Sequence, residues 1–159
     1  MKTKLVKNIM APLVVAFALL PMVAKTASKE ATQGGKLEGT WAMQITLTDC
    51  AGHVIRSFPT LVAFMEGGTL TEASGGTAPA LQTGGKGVWR HTNDHNYAFR
   101  FKDFTFNAQN VFTGWVIIAG ETTVDGDANA GPATVQVYNA SGVLVATLCA
   151  DAAGTRFEL

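Results

Sequence analysis

Five side chains able to carry charge or move a proton lie in or beside aromatic stretches of the sequence. They are Glu72, Arg90, His91, Arg100 and Asp103. A carboxyl or imidazole group in apolar surroundings can give or take a proton near neutral pH, because burial shifts its pKa. No G-x-S-x-G nucleophile motif accompanies them. These five are therefore candidates for a polar group inside a site, and no residue is assigned a catalytic role.

Two histidines have a spacing that could bind a metal. His91 and His95 are four residues apart, which on a helix would place both rings on one face. The intervening Asn93 and Asp94 are turn formers, so the helical interpretation fails. Zinc needs a third protein ligand, and His53 is the only other histidine. We predict solvated turn residues here, with no metal and no cofactor.

The chain has two cysteines, Cys50 and Cys149. An even count favours a disulfide if the chain reaches an oxidising compartment, with two buried free thiols as the alternative. The bond would close a loop of roughly 100 residues, worth up to about 4.7 kcal/mol in the chain-entropy model. It would join the first strand of the domain to the penultimate one, which suits a sheet whose two ends meet.

The N-terminus has the order of a secretory signal peptide: lysines, then an apolar run broken by two prolines, then small residues. We predict a signal peptide over residues 1–24, cleaved between positions 24 and 28, followed by a flexible leader over 25–36. A membrane anchor is the alternative, but the uncharged run is marginal in length for spanning a bilayer. The protein is then exported, to the periplasm or out of the cell.

Charge excludes two classes of partner. Removing Lys2, Lys4 and Lys7 with the signal peptide leaves nine basic and twelve acidic residues, a net charge of about −3. Binding to nucleic acid depends largely on basic residues that neutralise phosphate, and no basic cluster remains. The same deficit argues against docking on anionic membranes. A small apolar ligand is the partner left open, and the oligomeric state is not indicated.

From residue 37 to residue 159 the chain reads as short strands separated by turn residues. Trp41, Met43, Ile45 and Leu47 alternate with polar or small residues, which is typical of a half-buried strand. Eight or nine such strands follow one another, and no segment shows a helical period. The prediction is an all-β domain, an antiparallel up-and-down (meander) barrel of about eight strands, with a Greek-key sandwich as the alternative.

Three details of this pattern are open to test. The apolar phase slips by one residue after Phe101, which predicts a β-bulge at Lys102–Asp103. A turn is expected over residues 151–154, separating two final strands. The longest loop is expected over residues 74–87, which hold five glycines. Phe99 and Phe101 should face inward, although an inverted strand would put Arg100 and Lys102 inside.

The sequence Gly39-Thr40-Trp41 at the first strand resembles the G-x-W signature of lipocalins and related calycin barrels. In that family the Trp packs across the closed end of the barrel, and an Arg from the last strand lies over its ring. Arg156 stands at the matching place here. The chain therefore resembles a small bacterial exported lipocalin-like protein, although the T-D-x-x-Y pattern of classical lipocalins is absent. The resemblance implies that Gly39, Trp41 and Arg156 close the barrel.

The resemblance also implies a barrel cavity that binds a small hydrophobic or amphipathic molecule. Seven aromatic residues are candidates to line it: Phe64, Trp89, Tyr97, Phe99, Phe101, Trp115 and Tyr138. The simpler alternative is that they fill the core. A binding protein should enclose a mainly apolar cavity of roughly 300 Å³ or more. A small-barrel isomerase or cyclase should add a buried titratable group in that cavity. A structural or interaction module should have a filled interior.

Overall fold

The computed structural model describes residues 36–159, so the predicted signal peptide and nearly all of the leader lie outside the described residues. Eight antiparallel strands close into a barrel in sequence order. The predicted all-β meander barrel is thereby confirmed. The strands are β1 (Gly39–Thr48), β2 (Val54–Met65), β3 (Thr69–Ser74), β4 (Gly85–Asn93), β5 (Asn96–Phe106), β6 (Phe112–Asp125), β7 (Ala128–Asn139) and β8 (Leu144–Arg156).

Closure is made by pairing the first strand with the last. The β1–β8 ladder runs antiparallel from Trp41↔Arg156 to Thr48↔Cys149. Cys50, just after β1, forms a disulfide with Cys149, as the sequence predicted. The covalent bond therefore lies at the end of the same ladder that closes the sheet.

The final strand differs from the sequence-based expectation. Residues 151–154 form no turn, because β8 runs without interruption from Leu144 to Arg156. Asp151 pairs with Thr46 on one side and with Pro132 on the other, so neighbouring strands hold this segment extended. Strand pairing on both sides overrides the local turn preference. Cys149 thus lies on the last strand of the barrel, not on the penultimate one.

The predicted bulge in β5 is also wrong. Lys102↔Ile117 and Asp103↔Val116 are consecutive pairs of an unbroken β5–β6 register, and the shift occurs later, between Thr105 and Phe106. The apolar phase slips because Phe104 faces outward, where its ring lies 6.1 Å from that of Phe112. Asp103 then falls on the inward face in phase with Phe99 and Phe101.

The core gathers at the end of the barrel where β1 begins. Its buried members are Leu37, Trp41, Met43, Val62, Phe64, Leu70, Tyr97 and Val124. Strand side chains alternate between the two faces, so each strand contributes every second residue to this interior. In the described part of the chain, no helix is long and apolar enough to cross a membrane.

The connection between β3 and β4 is shorter than expected, because β4 begins at Gly85. Residues 75–84 are bonded to strands at both ends of the segment. The Gly75 amide donates to the Pro59 carbonyl oxygen at 2.8 Å, and the Phe106 amide donates to the Leu81 carbonyl oxygen at 2.9 Å. The loop therefore folds back along the edges of β2 and β5.

Candidate functional site

Trp41 and Arg156 close one end of the barrel. The indole is fully buried, and its Nε1 donates a hydrogen bond to the Leu37 carbonyl oxygen at 2.7 Å. The guanidinium carbon of Arg156 lies 4.3 Å from the centroid of the indole ring. A guanidinium over an indole face is a favourable cation–π contact. The structure thus places the guanidinium of Arg156 over the indole of Trp41, at the end of the β1–β8 ladder.

The same guanidinium binds the chain segment that leads into β1. Its Nη2 and Nη1 donate to the carbonyl oxygens of Lys36 and Glu38, at 2.8 Å each. Gly39 has a φ of +122°, and a Cβ at this position would lie 2.7 Å from Arg156 Nη1. Glycine is required here both by the backbone conformation and by the approach of the arginine. Gly39 therefore belongs to the barrel floor together with Trp41 and Arg156.

Beyond this floor the barrel interior holds a partly open cavity of about 160 Å³. Its wall is mainly apolar, and Met43 and Phe64 belong both to this wall and to the core around Trp41. The volume is about half of the 300 Å³ that the sequence-based prediction required. Four inward phenylalanines line the cavity: Phe58, Phe64, Phe99 and Phe101.

Three of the seven predicted aromatic residues line this cavity: Phe64, Phe99 and Phe101. Tyr97 is buried in the core at the closed end, and Trp89 packs against that core. Trp89 Nε1 donates to the carbonyl oxygens of Met65 and Thr69, which holds the indole at the end of the β2–β3 hairpin. Both side chains lie in or against the core at the closed end of the barrel, and neither lines the cavity.

Trp115 and Tyr138 do not line the cavity, in contrast to the sequence-based prediction. Their rings stack on each other at 5.5 Å, and Lys102 Nζ lies 4.1 Å from the centroid of the Trp115 ring. The inward residues of β6 are Val116 and Ile118, so Trp115 faces outward. The alternation of this strand is hard to assign from sequence, because Trp115, Val116, Ile117 and Ile118 are all apolar.

Two carboxyl groups face the cavity from β3 and β5, the two strands that flank β4. Glu72 on β3 pairs with Gly85 on β4, and Asp103 on β5 lies on the other side of the same glycine. A Cβ at Gly85 would lie 2.7 Å from Asp103 Oδ1 and 3.1 Å from the Cβ of Glu72. Because this position has no side chain, Asp103, Glu72 and the ring of Phe101 can approach it closely on the wall made by β3, β4 and β5.

In each carboxyl group, one oxygen accepts a side-chain hydrogen bond and the other has no partner in the described part of the chain. The Thr60 hydroxyl donates to Glu72 Oε1, and Gln82 Nε2 donates to Asp103 Oδ2, each at 2.6 Å. The other oxygens, Glu72 Oε2 and Asp103 Oδ1, are buried and have no hydrogen-bond partner within residues 36–159. Buried polar atoms in native proteins are nearly always paired, so two unpaired oxygens in one cavity single out this wall as the candidate site.

Burial raises the pKa of both acids. For Asp103, which is 1% exposed, desolvation and the nearby charge of Glu72 raise the pKa from 3.8 to about 7, against the hydrogen bond from Gln82. Desolvation also raises the pKa of Glu72, against the hydrogen bonds from Thr60 and from the Gly85 amide. Asp103 is therefore able to exchange a proton near neutral pH.

The remaining acid–base candidates lie elsewhere. Arg90 and Arg100 are exposed side chains on outward positions of β4 and β5. His91 and His95 lie beside a shallow hollow near Leu37, where His91 Nε2 is hydrogen-bonded to the Asp94 carbonyl oxygen at 2.9 Å. Over residues 36–159, no group of three His, Cys, Asp or Glu side chains is placed to hold a metal ion.

Sequence reasoning missed the polar residues that complete the cavity wall. Thr60 and Gln82 were not candidates, and neither was the buried pair in which the Thr122 hydroxyl donates to Asn129 Oδ1. No strand alternation in the sequence marks Gln82 as an inward residue, because it lies in the loop between β3 and β4. For Glu72 and Asp103 the signal was strand phase: Leu70 and Glu72 alternate together, as do Phe101 and Asp103.

Sequence relationships do not assign a ligand to this cavity. No protein-family model and no curated protein matches the chain. The function is therefore inferred from the geometry and the chemistry of the cavity.

Proposed function

We propose that this chain is an exported, lipocalin-like protein that binds one small, mainly apolar molecule inside its barrel. The observation that carries the proposal is the partly open cavity of about 160 Å³ with a mainly apolar wall. Transfer of an apolar molecule from water into such a space is favourable, by about 25 cal/mol for each Å² of apolar surface buried. A module with a filled interior would leave no such space.

The size of the cavity sets the size of the ligand. An apolar cavity of about 150 Å³ stays dry and binds benzene. A cavity of about 160 Å³ therefore suits one six-membered ring with a short substituent, or a branched chain of similar volume. Ligands of the size of a long fatty acid or a tetrapyrrole are too large.

Export and the lipocalin-like assignment have separate support. The Cys50–Cys149 disulfide is compatible with an oxidising compartment outside the cytosol. The eight-stranded meander barrel and the packing of Arg156 on Trp41 are consistent with a calycin-like architecture. Neither observation identifies a ligand.

The experiment is a titration of the purified, oxidised protein with toluene, followed by calorimetry and by the thermal midpoint. Two neighbouring alanines on β8 provide matched variants: Ala152 lines the cavity, whereas Ala153 is exposed on the outer face. Leucine adds three carbon atoms at either site. We expect saturable binding to the wild type and to Ala153→Leu, and loss of binding in Ala152→Leu, because the added carbons fill the cavity.

Two results would overturn the proposal. One is the absence of toluene binding to the wild-type protein. The other is unchanged binding to Ala152→Leu, which would place the bound toluene outside the barrel. Native mass spectrometry of the freshly purified protein complements this test, since a resident ligand of the expected size would appear as a fixed mass increment lost on unfolding.

A second candidate function is acid–base catalysis, as in a small-barrel isomerase or cyclase. The observation that favours it is Asp103, whose pKa is raised to about 7 inside the cavity. A group with a pKa near the working pH is both a usable proton donor and a usable acceptor. If a resident molecule is found, its chemical change on incubation with the wild type but not with Asp103→Asn would identify this activity.

A further inference from the structure

We propose that the polar wall of the cavity is a cation site, so that the preferred ligand is a small apolar body carrying one protonated nitrogen. The inference rests on the proposed binding function and specifies the substrate class of that same cavity. Its physical basis is the pair of unpartnered carboxylate oxygens, Glu72 Oε2 and Asp103 Oδ1, in the wall of a mainly apolar space.

The two acids are built into the wall. Glu72 is 8% exposed and Asp103 is 1% exposed, and Thr60 and Gln82 each hold one oxygen of the pair by a 2.6 Å hydrogen bond. Asp103 Oδ1 and the Cβ of Glu72 approach Gly85 so closely that a side chain would not fit there, which brings the two acids together on one wall. A ligand donor group in the cavity therefore meets two carboxyl groups on this wall.

The chemistry of two adjacent carboxylates selects a cation. An organic anion would be repelled, and a neutral hydroxyl group has a single hydrogen to donate, so it would leave one oxygen unpaired. An ammonium group has three donors, and hydrogen bonds between charged groups are about twice as strong as neutral ones. Divalent calcium prefers six to eight oxygen ligands, more than two carboxyl groups provide.

Other charges around the cavity do not neutralise the pair. Arg56, on β2, is the only cationic side chain among the described residues of the wall. It donates to the Gly76 carbonyl oxygen, and its guanidinium carbon lies 4.9 Å from the centroid of the Phe58 ring. No ion pair joins Arg56 to either acid within residues 36–159. Lys86 and Lys102 lie on outward positions of β4 and β5, so neither ammonium group enters the cavity.

Cation binding is coupled to the proton of Asp103. The groups that face this carboxyl are Glu72 from β3 and Gln82 from the loop, and Arg56 on β2 also lines the same cavity. A bound cation favours the ionised carboxylate, so binding at pH 6 should release a proton. Affinity should therefore increase as the pH rises from 6 to 8, through the pKa of Asp103 near 7.

The test compares four ligands that share one ring: toluene, benzyl alcohol, benzoate and benzylamine. Calorimetry with the purified, oxidised protein at pH 8 should show benzylamine binding at least about tenfold more tightly than each of the others. The variants are Glu72→Gln and Asp103→Asn, which keep the shape of the side chain and remove its charge. Glu121→Gln, on the exposed outer face of β6, removes the same charge elsewhere.

We expect each cavity variant to lose about tenfold in affinity for benzylamine while affinity for toluene changes less than about twofold. Glu121→Gln should behave as the wild type. If a cavity variant does not fold, the cation site is tested on the wild-type protein alone. Calorimetry at pH 6 in two buffers of different ionisation enthalpy should then show proton release with benzylamine and none with toluene.

The outcomes separate this inference from the proposed function. Binding of toluene without tighter binding of benzylamine overturns the cation site and leaves the apolar cavity as proposed. Equal affinity for benzyl alcohol and benzylamine, unchanged benzylamine affinity in both cavity variants, or the absence of proton release at pH 6 also overturns it. If no ligand of the series binds, the proposed function itself fails.

Discussion

Asp103 sits among aromatic residues in the sequence and among apolar side chains in the barrel, and its carboxyl group is almost fully buried. A charged carboxylate in such surroundings is costly, so the group binds a proton more readily than it would in water. Its single strong partner is the amide of Gln82 at 2.6 Å. At the scale of one residue, the protein therefore holds a titratable group that should disfavour the folded state whenever it is ionised.

The first prediction concerns the pH dependence of stability. The pKa of Asp103 is higher in the folded protein, at about 7, than the 3.8 of an ordinary aspartate. The folded state therefore binds this proton more tightly than the unfolded chain. The stabilising contribution is complete below about pH 4 and is lost as the pH rises through about 7, about 4 kcal/mol in total at about 1.4 kcal/mol for each pKa unit.

Urea denaturation from pH 4 to pH 8 checks this prediction. Asp103→Asn should be more stable than the wild type at pH 8, with a smaller difference at pH 5. Glu72, whose pKa is also raised, should leave a residual slope of the same sign. Asp151→Asn, on the exposed outer face of β8, should keep the wild-type slope. Parallel curves for the wild type and Asp103→Asn would contradict the assignment.

The second prediction concerns Arg156. Arg156→Lys keeps a positive charge but loses the planar stacking on Trp41 and the paired bonds to two carbonyl oxygens, so it should cost about 1–3 kcal/mol of the free energy of unfolding. The ion pair to Asp127, whose side chain is 72% exposed, should contribute little. Asp127→Asn should therefore cost less than about 1 kcal/mol. Equal losses in the two variants would show that the ion pair dominates.

At the scale of the elements, β5 has a separate role on each of its two faces. Its inward face carries Phe99, Phe101 and Asp103 to the cavity. Its outward face carries Phe104 and Phe106 to an aromatic cluster with Phe112, at ring distances of 6.1 and 6.0 Å. A strand with aromatic residues on both faces loses the simple alternation from which its orientation can be recognised.

The loop between β3 and β4 completes the cavity from outside the sheet. Gln82 forms an isolated bridge with Thr105 and donates to Asp103 Oδ2 from that position. The loop is thus part of the wall that holds the carboxyl pair. A substitution at Gln82 in this loop should therefore alter the pKa of Asp103, although Asp103 lies on β5.

The third prediction uses this contact. Gln82→Ala removes a hydrogen bond that favours the ionised form, so the pKa of Asp103 should rise further above its wild-type value. Titration of the Asp103 carboxyl carbon by NMR measures the shift directly. Gln44→Ala, an exposed glutamine on β1, is the control and should leave the titration unchanged. A pKa that falls or stays the same in Gln82→Ala would contradict the contact.

At the scale of the whole molecule, two features close the barrel: the pairing of β1 with β8 and the disulfide at the end of that ladder. The β1–β8 ladder supplies hydrogen bonds, and the disulfide joins two residues separated by 99 positions in the sequence. A cross-link over so long a loop acts mainly on the unfolded chain, by reducing its conformational entropy. The ladder, in contrast, determines the folded geometry around the cavity.

The fourth prediction separates the two closures. The double variant Cys50→Ala, Cys149→Ala should lose about 2–5 kcal/mol of the free energy of unfolding. Amide hydrogen exchange along the β1–β8 ladder should nevertheless still show protection at 25 °C, because the strand pairing is intact. Thr147→Ala, an exposed substitution two residues from the disulfide, should have a small effect. Loss of all protection in the double variant would mean that the ladder cannot close the barrel alone.

The sequence by itself determined the features that depend on near neighbours along the chain. Period-two alternation, as in Trp41, Met43 and Ile45, specifies strands, and short turn segments join them in order, so an antiparallel meander follows. The two cysteines, near the two ends of the domain, were sufficient to predict closure by a disulfide. These patterns are local, or involve so few partners that only one pairing exists.

Only the tertiary structure decided what lies beside what across the sheet. Glu72, Gly85 and Asp103 form one wall because three strands pair in a particular register, and a shift by one residue would turn an acid outward. Residues 151–154 stay extended because two ladders hold them, although their composition favours a turn. The cavity volume depends on how the inward phenylalanines pack around the whole barrel. Strand register and packing depend on residues that are far apart in the sequence. The alternation along a single strand therefore does not determine them.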